Sequence, residues 1–233
     1  MANGHDLKVI IAVLVKDEES TIGVVLDELL LYHHHDDIVV IIDGIKDATI
    51  EKARQRKVRI IHGREKGKGN AVRLGIDSIA SDVLVFMDAD GSHASEDIAK
   101  LVQPIIEDKA DLVIASRIKG GSEEFSGSIK NRLHYYGNIL SSYVINLIWG
   151  RSNNVIADCQ NGFRAIRSSV AKELGLKEDS FAIEQEMVIK AIKLRYRVRE
   201  VASYEFKRKH GKSHISMLSM LPKYIRCFIA NLR

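Results

Sequence analysis

Short apolar runs alternate with helical patterns through the first half of this chain, and that alternation most constrains the fold. Residues 7–15 are apolar almost without interruption, which predicts a strand buried on both faces. The same reasoning predicts strands at 38–42, 58–61, 83–87 and 112–115, with helices at 20–31, 49–56, 70–79 and 95–106. Such alternation indicates right-handed crossovers and a Rossmann-like, mainly parallel sheet in an α/β fold. Ligands of these sheets bind beyond the carboxyl ends of the strands, so the polar residues there are the candidate site.

The second half of the chain has a different pattern. Residues 117–129 are rich in Gly and Ser and predict a loop, and residues 158–166 predict a polar turn that enters a short strand. Helices are predicted at 130–149, 181–194 and 217–232, with a strand at 198–206. We expect a single domain over residues 1–216, followed by an amphipathic helix over residues 217–233.

Composition excludes several classes of protein. With 35 Lys and Arg against 31 Asp and Glu, the formal charge is only +4, too small for a dedicated nucleic-acid binder. Cys159 and Cys227 cannot form a disulfide framework or a paired zinc site. The longest apolar run, Val9–Val15, falls far below the roughly 18 residues of a membrane span, and no secretory signal is visible. These features predict a soluble, cytoplasmic protein without a nucleic-acid partner.

The strongest chemical signal lies in residues 83–93, where a predicted buried strand ends in Asp88 and Asp90. Two carboxylates that face one point suit a hard divalent cation, Mg²⁺ or Mn²⁺, which can bridge a diphosphate. The alternative is an acidic turn that caps the next helix, but Ser95 with Asp97 accounts for that cap.

Three further segments carry candidate binding groups. Asp43 ends the second strand, and Gly44 after it allows a tight turn that holds the carboxylate in the cleft. Lys68 lies between two glycines in residues 64–71, a segment that does not have the spacing of a P-loop. Residues 207–213 form a cationic cluster with a glycine, which suits a phosphate as well as it suits a solvated loop.

Together these pieces resemble the family 2 glycosyltransferases, and within them the dolichol- and polyprenyl-phosphate sugar synthases. The resemblance extends from about residue 8 to residue 216 and rests on motifs in the family's order. These are Asp17-Glu18-Glu19, Asp43-Gly44, Gly67-Lys68-Gly69, Asp88-Ala89-Asp90, Ser116-Arg117, Asn161-Gly162-Phe163-Arg164, Phe181 with Glu184 and Glu186, and residues 208–213.

The resemblance implies a GT-A fold, inversion at the anomeric carbon, a divalent metal (Mg²⁺ or Mn²⁺) and a nucleotide-diphosphate sugar donor of the GDP-mannose or UDP-glucose type. It implies metal binding by Asp88 and Asp90, and nucleotide-sugar binding by Glu18, Asp43, Lys68, Asp88, Lys212 and Ser213. It also implies a catalytic set of Asp90, Arg117, Asp158 and Arg208, in which the arginines face phosphates and Asp158 begins the acceptor-side motif. The chain departs from the family pattern at residues 14–17 and 42–45, and both departures touch the nucleoside pocket.

The acceptor follows from acid–base chemistry. A sugar hydroxyl needs a general base, whereas a phosphate monoester is mostly dianionic at neutral pH, and the many cations near the site favour a polyprenyl phosphate. Such a lipid requires a membrane surface or a membrane-embedded partner subunit, and the predicted helices 130–149 and 217–232 could supply peripheral contact or pack on the protein's own core. The alternatives are a hydroxyl acceptor with Asp158 or Glu184 as base, a nucleotidyltransferase, and a catalytically silent nucleotide-sugar binding subunit.

Overall fold

The computed structural model describes residues 7–16, 18–44, 47–125, 129–150, 154–208 and 217–232. Its strands are β1 (Val9–Val15), β2 (Ile38–Ile42), β3 (Arg59–His62), β4 (Val83–Asp88), β5 (Leu112–Ser116), β6 (Arg164–Arg167) and β7 (Val198–Ala202). Its α-helices are α1 (Ile22–Leu29), α2 (Asp47–Gln55), α3 (Lys68–Ser78), α4 (Ile98–Ile106), α5 (Arg117–Gly120), α6 (Ile129–Trp149), α7 (Ser168–Glu173), α8 (Ile183–Lys193) and α9 (Met217–Asn231).

The strands form one sheet in the order β3-β2-β1-β4-β6-β5-β7. Each neighbouring pair is parallel except those that include β6, which runs antiparallel to both β4 and β5. The predicted α/β fold with a mainly parallel sheet is therefore confirmed. Because β6 runs the opposite way, the segment that precedes it lies at the carboxyl edge of the other strands.

The apolar residues of the strands divide between two buried clusters, one on each face of the sheet. Along β1, Ile10, Ala12 and Leu14 belong to one cluster, and Ile11 and Val13 belong to the other. Helices cover both faces, which explains why the strand sequences are apolar without a break rather than at every second residue.

Register brings the ends of the central strands together. Leu14 of β1 lies beside Ile41 of β2 and beside Asp88 of β4. The residues that follow these three strands are therefore neighbours in space although they are far apart in the chain. The site described below lies at this edge.

The structure differs from the sequence-based elements at three places. Residues 117–120 form the short helix α5 inside the predicted loop, and residues 168–173 form α7, which was not predicted. The last predicted strand ends at Ala202, although Glu205 makes isolated bridges to His93 and Ser122. Within the described residues, no helix combines the length and the apolar character needed to cross a membrane.

Candidate active site

A cavity of about 440 Å³ opens at the carboxyl edge of β1, β2 and β4. Acidic and basic side chains both line it, together with Leu14, Phe181 and Met220. The acids of its lining are Glu18, Asp43, Asp88, Asp90, Glu178 and Asp179, and the cations are Lys16, Lys66, Lys68, Arg208, Lys223 and Arg226.

Lys68, the first residue of α3, joins two carboxylates at the base of this cavity. Its Nζ lies 2.8 Å from Asp88 Oδ2 and 2.9 Å from Glu184 Oε1. Desolvation opposes the charge of Asp88, but Lys68 and His93 together outweigh it and hold the pKa of Asp88 well below its usual range. The buried Lys68 stays protonated because the two carboxylates raise its pKa against the effect of burial.

Asp90 lies two residues after Asp88, and both of its carboxylate oxygens have partners. Its Oδ1 accepts hydrogen bonds from Ser92 N at 3.0 Å and Ser92 Oγ at 2.7 Å, and its Oδ2 lies 3.2 Å from Arg208 Nη1. The same guanidinium nitrogen lies 3.9 Å from Glu18 Oε1. Arg208 therefore stands between two acids that come from different strand ends.

Glu18, Asp88 and Asp90 line the same cavity, where Lys68 and Arg208 approach their oxygens, and the carboxylate oxygens of the three acids do not all lie within 4.8 Å of one another. Burial raises the pKa of Glu18, the charge of Asp90 raises it further, and Arg208 opposes both effects. Carboxylate oxygens are the ligands that Mg²⁺ and Mn²⁺ prefer, so the donor set suits either ion.

Asp43 organises the turn that carries Lys68. Its carboxylate accepts hydrogen bonds from Lys66 N at 3.2 Å and Gly67 N at 2.9 Å. Gly67 has a φ of +96°, and a Cβ at Gly69 would collide with the carbonyl oxygen of Glu178. The two glycines therefore let the turn approach the backbone that precedes α8, which places Lys68 over the cavity floor.

Arg117 and Asp158 pair with each other beside the cavity and do not line it. Arg117 donates to both carboxylate oxygens of Asp158, from Nε at 2.8 Å and Nη2 at 2.9 Å, and its Nη1 lies 3.4 Å from Glu205. The Asp158 side chain is fully buried and also accepts a hydrogen bond from Asn138 Nδ2 at 2.8 Å. Burial opposes the charge of Asp158, but Arg117 outweighs it and lowers its pKa.

Two buried residues near the site, His93 and Arg164, were not among the predicted site residues. His93 stacks on Phe163 with ring centroids 4.9 Å apart, and its Nε2 lies 3.9 Å from Asp88 Oδ2. Arg164, only 1% exposed, donates to the carbonyl oxygens of Asn161 and Glu184, so it ties the segment before β6 to the start of α8. Both occur inside motifs quoted above, but only the folded chain shows what they contact.

The cavity thus brings together most of the predicted site residues: Glu18, Asp43, Lys68, Asp88, Asp90 and Arg208. Arg117 and Asp158 form an adjoining ion pair, and Lys212 and Ser213 lie outside the described residues. The catalytic, nucleotide-sugar and metal roles of these residues stay predictions.

The seven-stranded, mainly parallel sheet with helices on both faces matches solved structures that have the GT-A glycosyltransferase fold. The family model "Glycosyl transferase family 2" matches residues 10–175, and the chain belongs to this family.

Named relatives agree with this assignment. The chain is 34% identical over 149 residues to the UDP-N-acetylglucosamine--dolichyl-phosphate N-acetylglucosaminyltransferase of Methanococcus voltae, a match that covers 62% of this chain and 57% of the relative. It is 28% identical over 185 residues to the dolichyl-phosphate hexose transferase of Haloferax volcanii, covering 79% of this chain and 77% of that protein. The dolichol-phosphate mannosyltransferase of Pyrococcus furiosus is 33% identical over 156 residues, covering 64% of this chain and 42% of that enzyme. The chain therefore spans less than two thirds of the length of the first and third of these relatives.

Solved structures support the fold. The glucosyl-3-phosphoglycerate synthase of Mycobacterium tuberculosis, in complex with Mn²⁺, UDP and phosphoglyceric acid, aligns with a TM-score of 0.74 at 16% identity, covering 97% of this chain and 79% of that one. A complex of the same enzyme with Mg²⁺ and UDP aligns with a TM-score of 0.73 over 97% of this chain and 80% of that one, again at 16% identity.

Proposed function

We propose that this protein transfers a hexose from a nucleotide-diphosphate sugar, of the GDP-mannose or UDP-glucose type, to a polyprenyl or dolichyl phosphate, with inversion. The observation that carries the proposal is the meeting of Glu18, Asp88, Asp90 and Arg208 in one cavity at the carboxyl edge of the sheet. The relatives named for dolichyl-phosphate transferases support the same acceptor class.

We assign the donor end of the reaction to this cluster of acids. Asp88 and Asp90 would hold Mg²⁺ or Mn²⁺, which when bound supplies positive charge to the diphosphate as it leaves, and Glu18 would contact the nucleotide sugar. Asp43 keeps the turn of Lys68 in place, and Asp43 with the end of β1 lines the part of the cavity that we assign to the nucleoside. Arg208, which lies near Glu18 and Asp90 in the structure, would contact the phosphates of the donor when the donor is bound.

The charge state of the candidate bases favours a phosphate acceptor. Asp158 is paired with Arg117, and Glu184 is paired with Lys68, so neither carboxylate is disposed to remove a proton from a sugar hydroxyl. A phosphate monoester needs no such base, because its oxygen is already ionised when it attacks the anomeric carbon. A single displacement forms the new glycosyl–oxygen bond as the bond to the nucleoside diphosphate breaks, and this inverts the configuration.

A lipid acceptor also requires contact with a membrane, and we propose that the protein is peripheral on its cytoplasmic face. The apolar stripe of α6 is 50–72% exposed rather than packed on the core; it comprises Leu133, Tyr136, Leu140, Tyr143 and Leu147. On α9, Leu221, Ile225 and Ile229 are also exposed. Exposed apolar side chains in helical register suit the interface plane of a bilayer or the surface of a membrane-embedded partner subunit.

The test is turnover with defined substrates. The protein is incubated with a panel of UDP- and GDP-sugars, a polyprenyl phosphate in detergent, and Mg²⁺ or Mn²⁺. We expect a glycosyl polyprenyl phosphate of inverted configuration by mass spectrometry and NMR, free nucleoside diphosphate, and no product from Asp90→Asn. Release of sugar 1-phosphate without free nucleoside diphosphate would instead indicate a nucleotidyltransferase, which attacks a phosphorus atom. Transfer only to hydroxyl acceptors would contradict the lipid acceptor, and donor binding without any turnover would indicate a binding subunit.

A further inference from the structure

The helix α9 forms one wall of the cavity that the acids of the sheet edge also line. Met220, Lys223 and Arg226 are the residues that it contributes to the lining. Their spacing of three places them along one side of the helix on successive turns. Lys223 and Arg226 are therefore part of the cavity, in addition to any contact that this helix makes with a membrane.

The position of this wall is fixed by packing. Met220 is 3% exposed and Cys227 is fully buried, both on the side of α9 that faces the core. Gln185 of α8 donates from Nε2 to the carbonyl oxygen of Tyr224 at 3.1 Å. Because these contacts hold the helix against α8, its two cations are presented to the cavity by the fold itself.

These two cations differ from the deeper cations of the cavity in their partners. Lys68 and Arg208 are each held by a carboxylate, at 2.8 Å and 3.2 Å. Among the described residues no carboxylate lies within 4.0 Å of Lys223, and Arg226 meets only Glu178, at 3.5 Å, with its side chain 75% exposed. On the α9 wall, Lys223 therefore has no carboxylate partner among the described residues, and Arg226 has one long contact at a largely exposed position.

We infer that Lys223 and Arg226 bind the phosphate of the acceptor, a prenyl-type phosphate monoester, and so set the acceptor specificity of the cavity. The inference rests on the proposed function, and it adds a second anion subsite to the one assigned to the donor. Two cations on adjoining turns match the two negative charges of a phosphate monoester near neutral pH. The same helix exposes Leu221 and Ile225, so an amphiphilic anion finds charge and apolar surface on one element.

The donor diphosphate is the other source of the same chemistry, and the charge distribution favours the acceptor. The acids that suit a metal, and Arg208 between them, are contributed by strand ends and by the segment after β7. The cations of α9 reach the cavity from a separate element, which packs on α8 and α6. The proposed reaction brings two anionic substrates together, a donor diphosphate and an acceptor phosphate, and therefore requires two anion-binding sites.

The experiment uses the full chain and the double variant Lys223→Gln/Arg226→Gln, with Arg54→Gln/Lys172→Gln as a control of equal charge. Both control residues are exposed and lie outside the cavity lining. Binding of farnesyl phosphate, a soluble prenyl phosphate, is measured by calorimetry in the presence of UDP and Mn²⁺. The KM for polyprenyl phosphate, the Kd of UDP with Mn²⁺ and co-sedimentation with anionic vesicles are measured in parallel.

We expect the Lys223/Arg226 double variant to weaken farnesyl phosphate binding and raise the acceptor KM at least ten-fold. The Kd of UDP should stay within two-fold of the wild-type value, and the control variant should match the wild type throughout. Three results would overturn the inference: unchanged farnesyl phosphate binding in the double variant, a loss confined to UDP binding, or a loss confined to vesicle binding. The second would place these cations on the donor, and the third would place them on the membrane surface.

The outcome for this subsite is separable from the outcome for the proposed reaction. If the wild-type protein binds farnesyl phosphate through these cations but forms no product, the result supports the subsite and refutes the transferase activity. If the wild-type protein transfers a hexose to polyprenyl phosphate and the double variant is equally active, the result supports the activity and refutes the subsite. Wild-type protein that does not bind farnesyl phosphate at millimolar concentration would refute the subsite outright.

Discussion

At the scale of single residues, Arg117 and Asp158 form a buried ion pair, and we predict that Asp158→Asn destabilises the protein. The substitution leaves a buried guanidinium without its main counter-charge, which costs about 3 kcal/mol or more of unfolding free energy. Urea unfolding at pH 7 measures the loss. Asp36→Asn is the control, because that side chain is 78% exposed and its substitution should change stability by less than about 0.5 kcal/mol.

The pH dependence of that difference follows from the lowered pKa of Asp158. A carboxyl whose pKa is lower in the folded than in the unfolded state stabilises the fold above its unfolded pKa, about 3.9, and loses that contribution as the pH falls through the folded value. The difference in unfolding free energy between wild type and Asp158→Asn should therefore have its full size at pH 7 and should decrease below about pH 4. An Asp158→Asn protein of unchanged stability whose pH–rate profile has lost its acidic limb would show that Asp158 is a general base.

The sequence identified residues by chemistry and strand position, but it could not identify their partners. Asp88 and Asp90 end a buried strand, so their presence at the ligand edge could be predicted. In the structure Lys68 pairs with Asp88, and Arg208 pairs with Asp90. These pairs depend on how segments far apart in the chain pack together. For the same reason the sequence could not show that Arg117 pairs with the buried Asp158, and its predicted role toward a phosphate stays a prediction.

At the scale of elements, helical period predicted two apolar stripes but not how far the core covers each of them. The stripe of α6 is exposed along its length. On α9 the core covers part of the helix, since Phe228 stacks on Trp149 of α6 with ring centroids 6.1 Å apart while Leu221 and Ile225 stay exposed. A periodic pattern shows only that a helix has an apolar side. The separation of residues 1–216 from a terminal helix stays a prediction, and the burial of Met220 and Cys227 favours a helix that is integral to the core.

We predict that the α6 stripe carries the membrane contact. Leu140→Glu/Leu147→Glu places two charges at positions that are 62% and 72% exposed, so the fold should tolerate them. Each leucine removed from the interface forfeits roughly 1.5–3 kcal/mol of burial, and co-sedimentation with anionic liposomes should fall at least ten-fold. Leu31→Glu/Leu194→Glu, at positions 77% and 52% exposed on other elements, is the control and should sediment like the wild type. Equal sedimentation of all three proteins would contradict docking through α6.

At the scale of the whole molecule, the site exists only when the chain is fully folded. Glu18, Asp43, Lys68, Asp90 and Arg208 come from five separate segments, which the sheet gathers at one edge. The alternating pattern of strands and helices predicted this edge, because parallel strands direct their carboxyl ends the same way. The strand order, with β6 inserted antiparallel between β4 and β5, could not be predicted, since pairing between distant strands leaves no local pattern.

Because one folded edge holds the described residues of the proposed donor site, ligand binding there should stabilise the entire chain. A nucleoside diphosphate with Mn²⁺ at 100 times its Kd adds about 2.7 kcal/mol, which corresponds to a rise in Tm of about 5–10 °C for a chain of this size. Differential scanning fluorimetry with UDP, GDP and ADP, each with Mn²⁺ or EDTA, measures the rise and ranks the bases. Asp90→Asn keeps an oxygen acceptor for Ser92 but loses the charge, so it should unfold near the wild-type temperature without ligand and show little rise with it. A rise of equal size in Asp90→Asn, or in wild type with EDTA, would mean that the nucleotide binds without a metal held at this carboxylate.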